Sequence, residues 1–433
     1  MGAVVFKWPF SLLRSLWTSF DERRTSQKSD VAIVGGGIVG ASLAYHLSHT
    51  SLSTTLWDTS SLGSGASGLS AGTLYATGHF DETSILESIE NNTTLTDRLD
   101  PNQTQDLDAV LVSSTIKSVR QLEESGYDCG LVECGALTLI NSPMSPELRA
   151  EYWDLRRRHH DIHLLTPRQT RAIEPAIRDP SLWSFHTPKS AYVDPLLTVR
   201  AFADSAVAKG RVTVIEDTNV TQIVPHQTNG GYILTMNNGT THEARQVVLC
   251  TGAYGHTLVK DMCTSNEITE EDRITPVKGT MWTMDHTHQT QGLSHVLYTT
   301  ASNEHWRHHK TVPPRCTHNK EGDYCIDHVY GRPFQDNFSI FGGGRIPTNR
   351  PVDYNPDLEV IEKGSNILEN KLYLLKDELS TDIPCWSGCM PFSESGRPVV
   401  KEIKEGLWIV NGLGAKGMML GPGITKWLTK ALE

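Results

Sequence analysis

Val31-Ala32-Ile33-Val34 is an unbroken apolar run that leads straight into Gly35-Gly36-Gly37-Ile38-Val39-Gly40. No other feature limits the fold as tightly. A short apolar run of this kind suits a strand buried on both faces of a parallel sheet. The G-x-G-x-x-G turn then opens Ala41-Ser42-Leu43-Ala44-Tyr45-His46-Leu47, which reads as a helix. In such a unit Gly35 makes the tight turn, Gly37 lets backbone approach a pyrophosphate, and Gly40 lets helix and strand pack closely. The helix start, with Ile38 and Val39, offers N–H groups and a positive dipole end to phosphate oxygens. Thr54-Thr55-Leu56-Trp57-Asp58 reads as the second strand, and Asp58 follows Gly40 by 18 residues. That is near the spacing of a carboxylate that holds ribose hydroxyls, and an acid there argues against a 2′-phosphate. The unit is therefore expected to be a β-α-β dinucleotide site.

The rest of the composition narrows the class. The chain has 433 residues and 38% hydrophobic residues, enough for two or three domains with a sizeable core. A formal charge of −11 disfavours nucleic acid, which demands a basic face. Eight cysteines are scattered without C-x-x-C or zinc-finger spacing, so a reducing compartment is expected rather than a disulfide scaffold. Residues 284–328 hold eight of the 18 histidines together with Cys316 and Cys325. The pattern lacks defined ligand spacing and reads as a polar insert, so no metal is expected. Residues 1–20 carry Lys7 and Arg14, no acid, and several bulky apolar groups. The charges interrupt any run long enough to span a bilayer. The segment reads as a presequence, hence a mitochondrial expectation, with a helix lying on a membrane surface as the alternative.

Directly after Asp58 comes Gly63-Ser64-Gly65-Ala66-Ser67-Gly68-Leu69-Ser70-Ala71-Gly72. Small residues allow close backbone approach, and hydroxyls can hold oxygens. Further on lie Ala191-Tyr192-Val193-Asp194-Pro195, Val212-Thr213-Val214-Ile215, Val220, Val247-Val248-Leu249-Cys250-Thr251-Gly252-Ala253, and Pro276-Val277-Lys278-Gly279. Phe341-Gly342-Gly343-Gly344-Arg345, Met390-Pro391-Phe392-Ser393-Glu394-Ser395-Gly396-Arg397-Pro398 and Leu407 through Gly414-Ala415-Lys416-Gly417 complete the series. This ordered set, over about residues 30–433, resembles the D-amino acid oxidase / glycine oxidase / sarcosine oxidase superfamily. The resemblance implies FAD as cofactor. It implies contacts from Ser64, Ala66, Ser67, Ser70, Ala71 and Gly72, from Val220 at the adenine, from Thr251 and Gly252, and from Arg397, Gly414, Ala415, Lys416 and Gly417 near the flavin. Ser395 replaces a frequent Asp, and Ala415-Lys416 replaces His-Gly, so the charge near the flavin is altered.

The implied fold is α/β, mixed with α+β: a Rossmann-type FAD-binding domain interleaved with an antiparallel-sheet substrate domain. FAD-domain pieces are expected at 30–75, 185–256 and 395–433, substrate-domain pieces at 76–184 and 257–394, and a targeting or membrane-associating segment at 1–29. Leu148–His160 reads as a surface helix, and Thr166-Pro167 as a helix start.

Flavin would carry the redox step while the protein orients a substrate C–H bond. In relatives the substrate carboxylate is gripped by Arg or Lys, since a guanidinium offers two parallel hydrogen bonds. Arg332 and Arg345 are the candidates, with Tyr330 adding a hydroxyl. Lys416 would place charge near reduced flavin. His79 and Cys389 read as a loop histidine and a buried cysteine rather than as a base and a covalent flavin link. The expected function is oxidation of the CH–NH bond of a small carboxylate-bearing amino acid or secondary amine, with oxygen, a quinone or a carrier protein as electron acceptor. Two alternatives stand beside it: a 2-hydroxy acid dehydrogenase, and a mitochondrial flavoprotein acting in respiratory-complex assembly.

Overall fold

The computed structural model describes residues 27–75, 101–141, 152–153, 156, 161–227, 230–254, 268–285, 292–300, 328–335, 338–348, 353–374 and 384–433. Residues 1–26, His79, most of the expected helix 148–160 and most of the histidine-rich segment lie outside these. The chain opens with β1 (Gln27–Val34), α1 (Ile38–Leu47), β2 (Thr54–Trp57) and β3 (Thr73–Leu74). It continues with α2 (Pro101–Glu124), β4 (Ala136–Ile140), β5 (His163–Leu165), α3 (Pro167–Ile173), β6 (Trp183–Thr187) and β7 (Ala191–Tyr192). Then come α4 (Pro195–Ala208), β8 (Val212–Ile215), β9 (Val220–Pro225), β10 (Tyr232–Met236) and β11 (Thr241–Leu249). The last part holds β12 (Ile274–Asp285), β13 (Val296–Thr300), β14 (His328–Gln335), β15 (Phe338–Pro347) and α5 (Leu358–Glu369). It closes with β16 (Cys385–Ser393), β17 (Val399–Lys404), β18 (Leu407–Asn411) and α6 (Gly417–Leu432).

Two large sheets result. The first runs β17-β18-β11-β1-β2-β8, with the β9/β10 hairpin attached to β11. Its five strands β18, β11, β1, β2 and β8 are parallel. The apolar run at Val31 has the physical basis expected of it. Val31 and Ile33 pack into the core shared with α1, α4 and α6, while Ala32 and Val34 pack into the core beneath the hairpin. The second sheet runs β16-β12-β15-β14-β13-β4-β6-β5 and is antiparallel except where β4 meets β13. One of its faces packs Trp282, Val329 and Phe341 against Val360 and Ile361 of α5. β3 and β7 form a separate two-stranded pair.

Helix starts follow local chemistry. Thr166 and Gln169 make a reciprocal capping box at α3, with Pro167 in the first turn. Asp194 accepts the N–H groups of Leu196 and Leu197 at α4, again with Pro in the first turn.

Two expected boundaries shift. α2 falls in the stretch assigned to the substrate domain, yet its apolar stripe (Leu107, Leu111, Val112) joins the core of the first layer, with α2 packed chiefly on α6 and more lightly on α4. Gly423 of α6 lies against it so closely that a Cβ there would fall 2.6 Å from the Leu111 carbonyl oxygen. β6 spans the expected boundary at residue 185, but it pairs along its length with β4 and belongs to the second sheet. The return to the first layer begins at the Asp194 cap of α4.

Candidate functional site

A cavity of about 1470 Å³ lies between the two large sheets. Sites for a single small ligand hold roughly 300–1,000 Å³, so this one has room for a dinucleotide and a second molecule. The turn after β1 forms one end. Gly35 has φ +107°, and a Cβ there would lie 2.3 Å from the Cys250 carbonyl oxygen. Gly40 is tighter still: its Cβ would fall 1.9 Å from the Gly35 carbonyl oxygen. Asp58 accepts the Gly36 N–H at 2.6 Å and the Ser60 N–H at 2.9 Å. Burial pushes its carboxyl above the ordinary carboxylate range, against the pull of those two hydrogen bonds.

The Gly63–Gly72 loop is fastened to this turn and to the second sheet. Gly63 N–H donates to the Gly36 carbonyl, and Ser67 Oγ accepts the Ile38 N–H at 3.0 Å. Leu62 N–H donates to Glu216 Oε1, which also takes Arg200 at 2.9 Å. From the other side Trp386 Nε1 donates to the Leu69 carbonyl at 3.0 Å, and Arg332 Nε donates to the Ala71 carbonyl at 2.5 Å. The C-terminal segments complete the wall. Asn411 Nδ2 donates to the Gly252 carbonyl, and Gly412 and Gly414 both have positive φ. Ser395 accepts the Arg397 N–H through its hydroxyl. Thr251 Oγ1 is buried without a protein partner on the cavity wall. An orphaned hydroxyl beside a glycine-lined cradle fits a ligand rich in oxygens and nitrogens.

The opposite end is built from the second sheet. Tyr330 and Met281 line it, and the Tyr330 hydroxyl donates to Met281 Sδ at 3.3 Å. Arg345 lies over the Phe392 ring, 5.5 Å from its centroid. Burial raises the Tyr330 hydroxyl's pKa, while the Arg345 charge acts the other way. Tyr75, at the end of the glycine-rich loop, hydrogen-bonds Thr138 of β4.

Among the expected contacts, Gly35, Gly37, Ile38, Val39, Asp58, Ser64, Ala66, Ser67, Ser70, Ala71 and Gly72 all line the cavity. So do Val220, Thr251, Gly252, Arg397, Gly414, Ala415, Lys416 and Gly417, and at the far end Tyr330 and Arg345. Gly40 sits behind the turn, in its expected packing role. Arg332 is not brought to the wall. It follows Tyr330 by two on β14 and so shares its face. It is buried, with Tyr192 stacked 4.8 Å from its guanidinium and the Ala71 carbonyl on its Nε. It supports the loop instead of facing a substrate. Lys416 lines the cavity but forms an ion pair with Asp108 of α2. Cys389 lines it too, with Sγ 3.7 Å from the Asp353 carbonyl oxygen, and burial pushes its thiol pKa up. The sequence reading missed Asp108, Tyr75, Thr138, Tyr298 and His328. The alternation His328-Val329-Tyr330 marks a strand with one aromatic face, but nothing local says which strands stand beside it.

A family model described as DAO, FAD dependent oxidoreductase, matches residues 30–431. Glycine oxidase of Geobacillus kaustophilus (strain HTA426) is 26% identical over 403 residues, covering 92% of this chain and 91% of that one. The crystal structure of glycine oxidase from the same species superimposes with a TM-score of 0.67 at 22% identity, over 94% of this chain and 95% of the other. Dithionite-reduced L-α-glycerophosphate oxidase from Mycoplasma pneumoniae, with FAD bound, does so with a TM-score of 0.65 at 17% identity, over 94% and 95%.

Proposed function

Because the chain belongs to the DAO family of FAD-dependent oxidoreductases, we propose that it oxidises the CH–NH bond of an amino acid or secondary amine gripped by its carboxylate at Arg345. The observation that carries this reading is the charge balance of the cavity. Among the described residues its lining cations are Arg345, Arg397 and Lys416, and its lining acids are Asp58 and Asp108. Asp58 sits at the dinucleotide turn and Asp108 is spent on Lys416. The end beside Tyr330 thus has the Arg345 guanidinium among its lining groups, and a guanidinium suits a substrate that carries a carboxylate. Glycine oxidases among the relatives act on an amine by name.

FAD, which the Gly35–Gly40 turn and the Gly63–Gly72 loop would hold, would supply the two-electron redox chemistry at the substrate C–H bond. The chain's own residues bind and orient. Arg345 holds the carboxylate. Tyr330 exchanges its weak thioether acceptor for a substrate oxygen, a favourable trade because sulfur accepts poorly.

Anaerobic mixing of the holoprotein with amino acids, N-methyl amino acids and 2-hydroxy acids tests the reading. Bleaching of the flavin by an amine is expected. Bleaching by a 2-hydroxy acid alone would move the chemistry to C–OH oxidation. Bleaching by none, with partner subunits co-purifying, would favour an assembly role. Oxygen is the proposed acceptor, checked by oxygen uptake during turnover. Of the expected segment 1–29, residues 27–29 belong to β1, so the part before them is proposed as a mitochondrial presequence on the strength of Lys7 and Arg14 without acids in residues 1–20. Sequencing the N-terminus of protein from an organelle fraction tests this, and an intact Met1 would sink it.

A further inference from the structure

Five strand pairings of the second sheet set one row of residues side by side. Thr138 stands opposite Tyr298, Tyr298 opposite Tyr330, and Tyr330 opposite Gly342. Gly342 stands opposite Met281, and Met281 opposite Trp386. Directly facing residues share a face of the sheet, and Thr138, Tyr298, Tyr330 and Met281 all line the cavity. Gly342 is the hinge of this row. A Cβ there would fall 2.3 Å from Met281 Sδ and 2.6 Å from Tyr330 Cζ, so both side chains lie across the bare backbone.

The row is covered at one end and open at the other. Ala71 and Leu69 of the glycine-rich loop close the Met281–Trp386 end. At the open end His328 stacks with Tyr298 (centroids 6.0 Å apart, tilt 26°) and with Tyr330 (6.4 Å, 22°). The three near-parallel rings thus form one continuous aromatic wall, with Tyr298, Tyr330 and His328 all lining the cavity. Tyr75 and Thr138 bound it, and Arg345 acts electrostatically on its Tyr330 edge.

We infer that the site selects carboxylates bearing a bulky apolar or planar side chain and discriminates against glycine. The inference rests on the proposed carboxylate grip at Arg345. With the carboxylate held at the Tyr330 edge, the side chain is what reaches the rings. Glycine has nothing to lay on them and leaves the wall wet. Aromatic faces favour offset-stacked or edge-on planar partners, and each added methylene that fits an apolar pocket multiplies efficiency by on the order of 10-fold or more.

The experiment has a binding arm and a turnover arm, both on the FAD-loaded protein. In the first, acetate and phenylacetate are titrated and the flavin absorbance perturbation is followed. Phenylacetate is expected to bind at least about tenfold tighter. Tyr298→Ala is expected to erase most of that ratio with the flavin spectrum of the free protein retained. In the second, flavin bleaching is compared for glycine, leucine and phenylalanine in both enantiomers. On the order of a hundredfold preference over glycine is expected. Equal binding of the two probes, or glycine as efficient as the larger amino acids, overturns the inference while leaving amine oxidation standing. Tight phenylacetate binding without bleaching by any amine overturns the amine reading while leaving the wall.

Discussion

The two ends of the cavity recognise their ligands by different means. The dinucleotide end is made of backbone: a glycine turn, a helix start and one carboxylate, all within residues 31–58. The opposite end is made of side chains drawn from β4, β12, β13, β14 and β15, set in register by pairings across the sheet. Backbone recognition has little tolerance, because no atom can move aside. Side-chain recognition can yield, and yielding changes which ligand fits. The cleanest way to break this contrast is to add one methyl group at each end. Gly40→Ala puts a Cβ 1.9 Å from a carbonyl oxygen, and the purified protein is expected to be colourless, with FAD affinity reduced more than about 100-fold. Gly342→Ala meets the flexible tip of Met281 at 2.3 Å and the far end of the Tyr330 ring at 2.6 Å, both side chains that can swing aside. It is expected to keep its flavin and lose substrate efficiency by about tenfold. The ratio of flavin to protein absorbance after gel filtration checks the first half, and anaerobic bleaching rates the second. Equal flavin loss in both variants would erase the distinction.

Acid should act on the first layer through two buried imidazoles. Burial lowers the pKa of His242 to about 4 and that of His46 to about 3, both from 6.5, and both residues belong to the first layer. His242 packs edge-on against Trp57, with its Nδ1 buried and without a partner. A folded pKa below the unfolded one means the unfolded chain takes up the proton first. Stability is therefore full above about pH 6.5 and lost as pH falls toward 4, with His242 alone contributing roughly 3 kcal/mol. Melting temperatures should fall over that window, and His242→Gln should flatten the slope whatever its own starting stability. An unchanged slope would show that other groups set the acid limit.

These two ends also explain what could be read in advance. The dinucleotide end was legible because its geometry is local: Val31, Gly35, Gly37, Gly40 and Asp58 follow one another in a unit whose spacing is fixed by one strand, one turn and one helix. Arg345 and Tyr330 could be singled out by type and by resemblance. Arg332 looked equivalent, and only the loop passing over it at Ala71 separates its role from theirs. Tyr298, His328 and Thr138 carried no local mark, since their meaning lies in strand order. α2 was misplaced for a related reason. Its apolar stripe states that it packs, and only the tertiary fold states that it packs on α6 and α4.

A smaller effect probes the carboxylate at the dinucleotide end. Asp58→Asn keeps one acceptor for the Gly36 N–H but loses the charge, and should weaken FAD binding by about 1–3 kcal/mol in a fluorescence titration. Burial raises the Asp58 pKa, so wild-type affinity should begin to fall above the ordinary carboxylate range as pH is lowered. The Asn variant should lack that fall. An identical pH profile in both would remove Asp58 from ribose recognition.

The smallest expected effect lies where the two ends meet. Lys416 read from sequence as a cation that would favour reduced flavin, but its ammonium is paired with Asp108 across the cavity rim, and both side chains are partly solvated. The pair presents little net charge, so neither residue alone should set the flavin potential. Removing one partner should reveal the other. Asp108→Asn leaves the ammonium uncompensated and should raise the potential. Lys416→Gln leaves the carboxylate and should lower it. Both side chains are partly solvated, so each single shift should be small, on the order of 10 mV. The double variant should return close to wild type, and added salt should shrink both single shifts because solvated charges are screened. Shifts of the same sign in both single variants would mean that the residues act by holding α2 in place instead of by charge. In that case altered charge at Lys416 would cease to be a reason for expecting altered chemistry at the ring.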